Sequence, residues 1–357
     1  MKILVTGGSG FIGSAVVRHL LKNTDHKIGI VDSLSYAANI ATLDEIIKDS
    51  RVSFYAEDIR EESKIHNIIM NFKPNKVIHL AAESHVDNSI KNPKDFLETN
   101  IFGTYNLLQA SLNFYRLLDD DNKNFFKFHH VSTDEVFGDL DFESKIKFSE
   151  ETRYDPSSPY SASKASSDHF VRAWGRTYGL PYVITNCSNN YGPFQFPEKL
   201  IPIVILNCLN NRDISVYGSG KQIRDWLHVD DHANALCKIA LGNLKNETYV
   251  IGGNCEKSNI SVISYICKFL DEVRPLEKGN SYTDLITHVD DRPGHDQRYA
   301  IDAAKINNTI WKPEISFEDG MNSTIMWYLE NQSWIRSIET SDYIKNNKLF
   351  KENRNRG

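Results

Sequence analysis

Two short spacings in this chain carry groups able to do chemistry. Tyr160 and Lys164 stand four residues apart in Pro159-Tyr160-Ser161-Ala162-Ser163-Lys164. Proline suits the first turn of a helix, and residues four apart on a helix share a face. An ammonium beside a phenol favours phenolate, so the spacing predicts a Tyr160 pKa below the usual value of about 10. Such a phenol can act as a base toward a hydroxyl near neutral pH. The second spacing is Asp134-Glu135, in Ser132-Thr133-Asp134-Glu135. Adjacent carboxyl groups are costly to bury, and chemistry explains them better than stability does. Like charges push the two pKa values apart, so one carboxyl can stay protonated as an acid while the other serves as a base.

Groups like these need a scaffold. Short apolar runs at 3–5, 28–31, 52–55, 76–80, 126–132 and 182–185 alternate with segments of helical length at 12–21, 64–72, 96–113 and 161–178. That alternation predicts βαβ units and an α/β fold built on a Rossmann-type, doubly wound parallel sheet. Ligands bind such sheets beyond the carboxyl ends of the strands, and each motif here follows a strand end or lies in the next helix. The first turn reads Gly7-Gly8-Ser9-Gly10-Phe11-Ile12-Gly13. Glycines here permit a tight turn, close approach of backbone to a pyrophosphate, and hard packing of helix on strand. The helix N-terminus then offers free N–H groups to the phosphates. Asp32 follows at a strand end about 20 residues on, as a ribose-binding carboxylate should. No Arg or Lys stands in Asp32-Ser33-Leu34-Ser35, which favours NAD over NADP. Asp58-Ile59 suits an adenine contact, and Leu80-Ala81-Ala82 lets backbone lie close to a cofactor.

The organisation changes after residue 186, where Gly and Pro punctuation becomes denser. We expect a dinucleotide-binding domain over 1–186 and a smaller C-terminal α/β substrate lobe over 187–336. Segments of 225–252 should return to the first domain, since His228-Val229-Asp230 and 248–251 read as further sheet material. Residues 337–357 form a basic tail, with Lys345, Lys348, Lys351, Arg354 and Arg356. The formal charge is −6, which gives no global attraction for nucleic acid or an anionic membrane. Five cysteines occur without a C-x-x-C pair, so reduced thiols and no metal site are expected. No leader precedes the first strand and no run of ~18 apolar residues appears, which together with reduced thiols points to the cytoplasm.

With these motifs in hand, the chain resembles the extended short-chain dehydrogenase/reductases, and within them the nucleotide-sugar 4,6-dehydratases. The likeness runs from residue 1 to about 330. It is closest at 129–140 (HHVSTDEVFGDL), 157–169, 186–200 (NCSNNYGPFQFPEKL), 222–232 (QIRDWLHVDDH) and 291–302 (DRPGHDQRYAID). The resemblance implies a lyase with tightly held NAD that turns dTDP-glucose into dTDP-4-keto-6-deoxyglucose and water, serving deoxysugar nucleotide synthesis such as that of rhamnose. It implies Tyr160 as base at the C4 hydroxyl, Glu135 as base at C5, Asp134 as acid at the C6 hydroxyl, and Thr133 beside the C4 oxygen. It implies cofactor contacts from Phe11, Ile12, Ser33, Leu34, Ser35, Ser84, Thr99, Lys164 and Asn190. Substrate contacts would come from Ser84, His85, Asn189, Lys199, Leu200, Tyr217, Arg224, Asn259, Arg292 and His295. Guanidinium groups suit a diphosphate on an acidic protein. The resemblance also implies a homodimer through helices flanking the first domain, and the apolar positions in 96–113 and 161–178 permit one. Simple 4-epimerases share the Ser/Thr and Tyr-x-x-x-Lys but lack the Asp-Glu pair, so 4-epimerisation is the lesser alternative; a UDP-glucose substrate is the other. Phe137, Ser215 and Phe194-Gln195 depart from the family pattern without removing a proposed catalytic group.

Overall fold

Residues 1–35, 38–277, 279–291 and 294–339 are described by a computed structural model. Arg292 and all but the first three residues of the basic tail therefore lie outside the described residues. The first strand, β1 (Lys2–Thr6), explains the sheet: Ile3, Leu4 and Val5 are all fully buried, so both of its faces are covered. Strands covered on both faces belong in parallel sheets with helices on each side. Next come β2 (Lys27–Val31), β3 (Val52–Tyr55), β4 (Lys76–His79), β5 (Lys127–Thr133) and β6 (Tyr182–Cys187). Shorter strands follow as β7 (Asn189–Tyr191), β8 (Ile214–Tyr217) and β9 (Ile223–His228). The last three are β10 (Glu247–Ile251), β11 (Glu256–Ser258) and β12 (Ile286–Val289).

Seven strands form one parallel sheet in the order β10-β6-β5-β4-β1-β2-β3. The order reverses between β1 and β4, and that is where a crevice opens above the strand ends. Of the longer helices, α1 (Phe11–Asn23) packs on one face, with α2 (Glu62–Phe72), α3 (Thr104–Arg116) and α4 (Pro159–Tyr178) on the other. Further along lie α5 (Leu200–Leu209), α6 (Val229–Leu241), α7 (Asn259–Val273) and α8 (Phe317–Glu330). A second core joins α5, α7 and α8 with β8 and β9.

Residues 225–252 do not act as one piece. β10 extends the main sheet beside β6, whereas β9 lies in a separate sheet with β7 and β11. Val229 and Asp230, read from the sequence as sheet material, open α6, and the His228 ring accepts the Asp230 N–H at 3.3 Å. The helix wins there because its buried face, including Val229, Ala233, Leu236 and Ala240, packs against the α1 side of the core.

Two local devices fix the site. Ser158 caps α4 in a reciprocal capping box with Ser161, and Gly179 ends it in the left-handed region. Ahead of α3, Leu97–Gly103 winds as a wide π-turn. Inside that turn Asn100 donates to Ser163 Oγ on α4 at 2.8 Å and to the Glu83 carbonyl after β4 at 3.0 Å. One amide thus ties the helix carrying Tyr160 to the rim of the crevice.

Candidate active site

The turn after β1 is held low against the sheet. Gly7 has φ +73° and donates to the Val31 carbonyl at 2.8 Å. A Cβ on Gly7 would lie 2.7 Å from Ala81 N, and one on Gly13 only 2.0 Å from Gly7 O. Such contacts are forbidden, so glycine keeps the floor of the crevice open. No side chain caps α1, which leaves its N-terminal N–H groups facing that space. Asp32 ends β2, with Oδ2 accepting from Ser9 N at 2.8 Å and Oδ1 from Leu34 N at 2.9 Å. Burial pushes its carboxyl above the usual range, and the two N–H donors act in the opposite direction. A cradle that a Cβ would fill, a helix N-terminus and a strand-end carboxylate together fit a dinucleotide.

A cavity of about 350 Å³ runs along this rim. Gly7, Gly10, Phe11, Ile12, Gly13, Asp32, Ser33 and Ser35 line its first half, with Asp58 and Ile59. Leu80, Ala81, Ala82, Ser84, Thr99, Tyr160, Lys164 and Asn190 line the rest. Leu34, expected among them, does not line it. It sits at φ +53° and serves through its N–H, which holds Asp32. Glu57, Arg60 and Glu198 line the same cavity without having been singled out from the sequence, and so does Gln195, noted there only as a departure from the family pattern. Glu198 stands in the quoted string beside Lys199 and could have been found there.

The inner end of the cavity holds the titratable groups. β5 stops at Thr133, whose hydroxyl donates to Asp134 Oδ1 and accepts the Glu135 N–H, both at 3.3 Å. A 3₁₀ turn over Asp134–Phe137 then sets the two carboxyls side by side. Burial, then Glu135 and Asp225, raises the Asp134 carboxyl well above the usual carboxylate range, which favours its protonated form. Asp134 Oδ2 is buried without a protein partner. Glu135, half-buried, lines this cavity and its neighbour.

Tyr160 differs from the expectation drawn from its spacing. Burial, then Glu135, raises its pKa well above 10, while a hydrogen bond to Thr133 acts to lower it. Lys164 is not what governs it: Nζ donates to the Val131 carbonyl at 2.9 Å. Burial brings Lys164 down to about 8, with Asp168 opposing. Desolvation of the fully buried phenol therefore decides the direction against the expectation from helical spacing.

A second cavity of about 290 Å³ meets the first at Ser84, Glu135, Asn189, Glu198 and Lys199. His85, Leu200, Tyr217, Arg224, Asn259 and His295 line it as well, while Thr133 faces only the first. Arg224 is 6% exposed, and its guanidinium already donates to the carbonyls of Ile223 at 2.7 Å and Asp296 at 3.0 Å. It also lies 4.2 Å from the centre of the Tyr299 ring. His295 Nδ1 lies 2.6 Å from Asp291 Oδ1, and its ring meets Tyr217 edge-on. Asn189 Oδ1 is buried without a partner at the junction of the cavities. Tyr299, Trp226 and Arg212 join this lining unforeseen. His129 and His130 face opposite sides of β5, toward Thr185 and Asp168. Among the described residues no group of three His, Cys, Asp or Glu is placed to hold a metal ion.

The family model for GDP-mannose 4,6 dehydratase matches residues 4–324. A dTDP-glucose 4,6-dehydratase of Salmonella typhimurium is 53% identical over 351 residues, spanning 96% of this chain and 97% of that protein. A dTDP-glucose 4,6-dehydratase of Neisseria meningitidis is 51% identical over 345 residues, again across 96% of this chain and 97% of that one. Among solved structures, DesIV, a dTDP-glucose 4,6-dehydratase from Streptomyces venezuelae with NAD and TYD bound, superposes with a TM-score of 0.84. It is 39% identical, over 94% of this chain and 98% of that one. The UDP-glucose 4-epimerase of Thermotoga maritima superposes at 0.80 with 28% identity, over 93% of this chain and 100% of that one.

Proposed function

The chain belongs to the GDP-mannose 4,6-dehydratase family, and on that premise we propose that it converts dTDP-glucose to dTDP-4-keto-6-deoxyglucose and water, using NAD. The observation that carries this reading is the buried Asp134 carboxyl, its pKa raised by burial, next to Glu135 on the wall that the two cavities share. Epimerisation at C4 needs no base at C5 and no acid at C6. Elimination needs both.

The glycine turn, Asp32 and the small residues after β4 would hold the dinucleotide along the first cavity. Bound there, NAD would supply reversible hydride transfer, with C4 as the source and C6 as the destination. Burial keeps the Tyr160 phenol protonated in the absence of ligands; the positive charge of bound NAD would favour phenolate, so that Tyr160 could take the proton of the C4 hydroxyl, with Thr133, bonded to that phenol, beside the oxygen as it becomes a ketone. The ketone acidifies C5–H. Glu135 removes that proton, and Asp134 protonates the C6 hydroxyl so that it leaves as water. A proton returned to C5 and a hydride to C6 complete the methyl group. The second cavity takes the nucleotide end, with Arg224, Lys199 and His295 at the diphosphate and Tyr217, Leu200 and Asn259 near the base.

The product serves deoxysugar nucleotide synthesis, and we place the reaction in the cytoplasm. All five cysteines are free, and among the described residues no helix is long and apolar enough to cross a membrane. A homodimer is supported by an aromatic face across α3 and α4. Tyr105, Phe170 and Tyr178 each meet the Trp174 ring within 6.1 Å, and Phe102 nearby is 61% exposed.

Purified protein given dTDP-glucose without added nicotinamide should yield the 4-keto-6-deoxy product. Deuterium placed at C4 should be recovered at C6. Formation of the 4-epimer alone would end this reading, and faster turnover of UDP-glucose would reassign the base.

A further inference from the structure

One buried carboxylate behind the site has no part in the steps above. Asp168 is completely buried and lies four residues past Lys164 on α4. Carboxylates are almost never fully buried unless paired, so its partners show what it is for. Tyr154 donates its hydroxyl to Oδ2 at 2.7 Å, and Asn186 Nδ2 donates to the same oxygen at 3.0 Å. His130 Nε2 lies 3.2 Å from Oδ1. Arg172 closes the outer side by donating to the Tyr154 hydroxyl at 2.8 Å. Lys164 shares the helix face one turn away.

Two of these partners lead into the site. Asn186, on β6, also donates to the Thr133 carbonyl at 3.2 Å. One amide therefore links Asp168 to the residue whose hydroxyl bonds Tyr160 and Asp134. Lys164 is held from the other side by the Val131 carbonyl, two residues before Thr133 on the same strand. We propose that Asp168 is a positioning residue for the reaction, fixing Thr133 through Asn186 and holding the Lys164 ammonium by its charge.

Two cations face that charge, Lys164 on the inner side and Arg172 at the rim. Titratable groups on the packed elements are His79 on β4, His130 on β5 and Cys187 on β6, with Tyr154 and Arg172 at the rim. Burial takes His130 down to about 4 and His79 well below its usual value, so both rings are neutral. Burial raises the Cys187 thiol, so it carries no charge either. Burial also acts to raise Asp168, but the His130 contact and the Lys164 charge outweigh it, and the carboxyl stays ionised.

The test is Asp168→Asn, with the titration of Lys164 read by NMR of protein labelled with [ε-¹³C]lysine, the resonance being identified by its loss in Lys164→Arg. Removing an opposite charge at this range should lower the Lys164 midpoint by about one pH unit or more. An unchanged midpoint overturns the proposal. This readout needs no turnover, so it stands apart from the dehydratase reading on which the rest of the proposal depends; a wild-type protein inactive on dTDP-glucose would sink that reading alone. With activity present, D168N should lose about tenfold or more in kcat with little change in KM, as expected when transition-state geometry rather than binding is lost. The alkaline limb of kcat should move down with the lysine. Wild-type kcat in D168N overturns the positioning role. Tyr154→Phe keeps the charge and should leave the Lys164 midpoint in place; a shift equal to that of D168N would assign the effect to packing and overturn the proposal. If D168N does not fold, Asn186→Ser decides: kcat must fall with the alkaline limb unmoved, and wild-type kcat overturns the proposal.

Discussion

At the scale of single residues, the chemistry rests on groups kept in protonation states that water would not allow. Burial, more than any neighbour, raises the Asp134 carboxyl well above its usual range, and the fold bears the cost. A carboxyl with a raised folded pKa releases its proton on unfolding at any pH between the unfolded and folded values. Wild-type stability is therefore lost as pH rises above the ordinary 3.8 toward that folded value. Asp134→Asn keeps the shape and removes the proton. It should be more stable than wild type by about 1–2 kcal/mol near pH 8, with the gain shrinking as pH approaches 4. Thermal melts across that range check the sign, and equal melting temperatures at both ends would contradict the buried-acid assignment. Activity should fall with the same substitution. Glu135→Gln should block elimination while some exchange at C4 survives, and wild-type turnover in that variant would require another base.

Two elements do most of the placing. The turn from β1 into α1 has no room for a side chain at Gly13, where a Cβ would sit 2.0 Å from Gly7 O. Gly13→Ala must push the turn into the crevice, costing about 1–3 kcal/mol of stability. The variant should purify with less bound NAD, read from the absorbance of the extracted dinucleotide. The N-terminus of α4 is the other element. Tyr160 is its second residue, so the Ser158–Ser161 box that starts the helix also aims the phenol. Ser158→Ala should cost about 1 kcal/mol by denaturant unfolding. It should lower kcat more than KM, because the frayed turn is the one that carries Tyr160, the proposed base.

For the whole molecule, what matters is how the main sheet and the second core share a wall. The first cavity belongs to the ends of the main sheet, and the second lies over α5, β8, β9 and α7; Glu135 sits on their shared wall. The helix over Gln332–Glu339 reaches back as well, with Trp334 Nε1 donating to Thr42 Oγ1 at 3.0 Å. On the outside, Phe102, Tyr105, Phe170 and Tyr178 are exposed aromatics on or beside α3 and α4, and exposed apolar patches are where proteins dock. Phe102→Glu should shift the protein from dimer to monomer in analytical ultracentrifugation. A dimer unaffected by the charge would place the contact elsewhere.

The local parts of this protein were legible in the sequence because each rests on neighbours in the chain. The glycine turn, the strand-end Asp32, the Tyr-x-x-x-Lys helix and the alternation that builds the sheet depend on spacing and periodicity, which the chain itself carries. Tertiary structure alone decided what burial and distant contacts impose. It raised the Tyr160 phenol that spacing predicted to fall, left Leu34 out of the cofactor cavity, and turned Val229 and Asp230 into a helix. It also occupied Arg224 with the carbonyl of Asp296, 72 residues away, and joined Asp168 to Thr133 through Asn186. Desolvation and hydrogen bonding across such separations depend on which strands become neighbours, and that is settled only when the whole sheet closes its core.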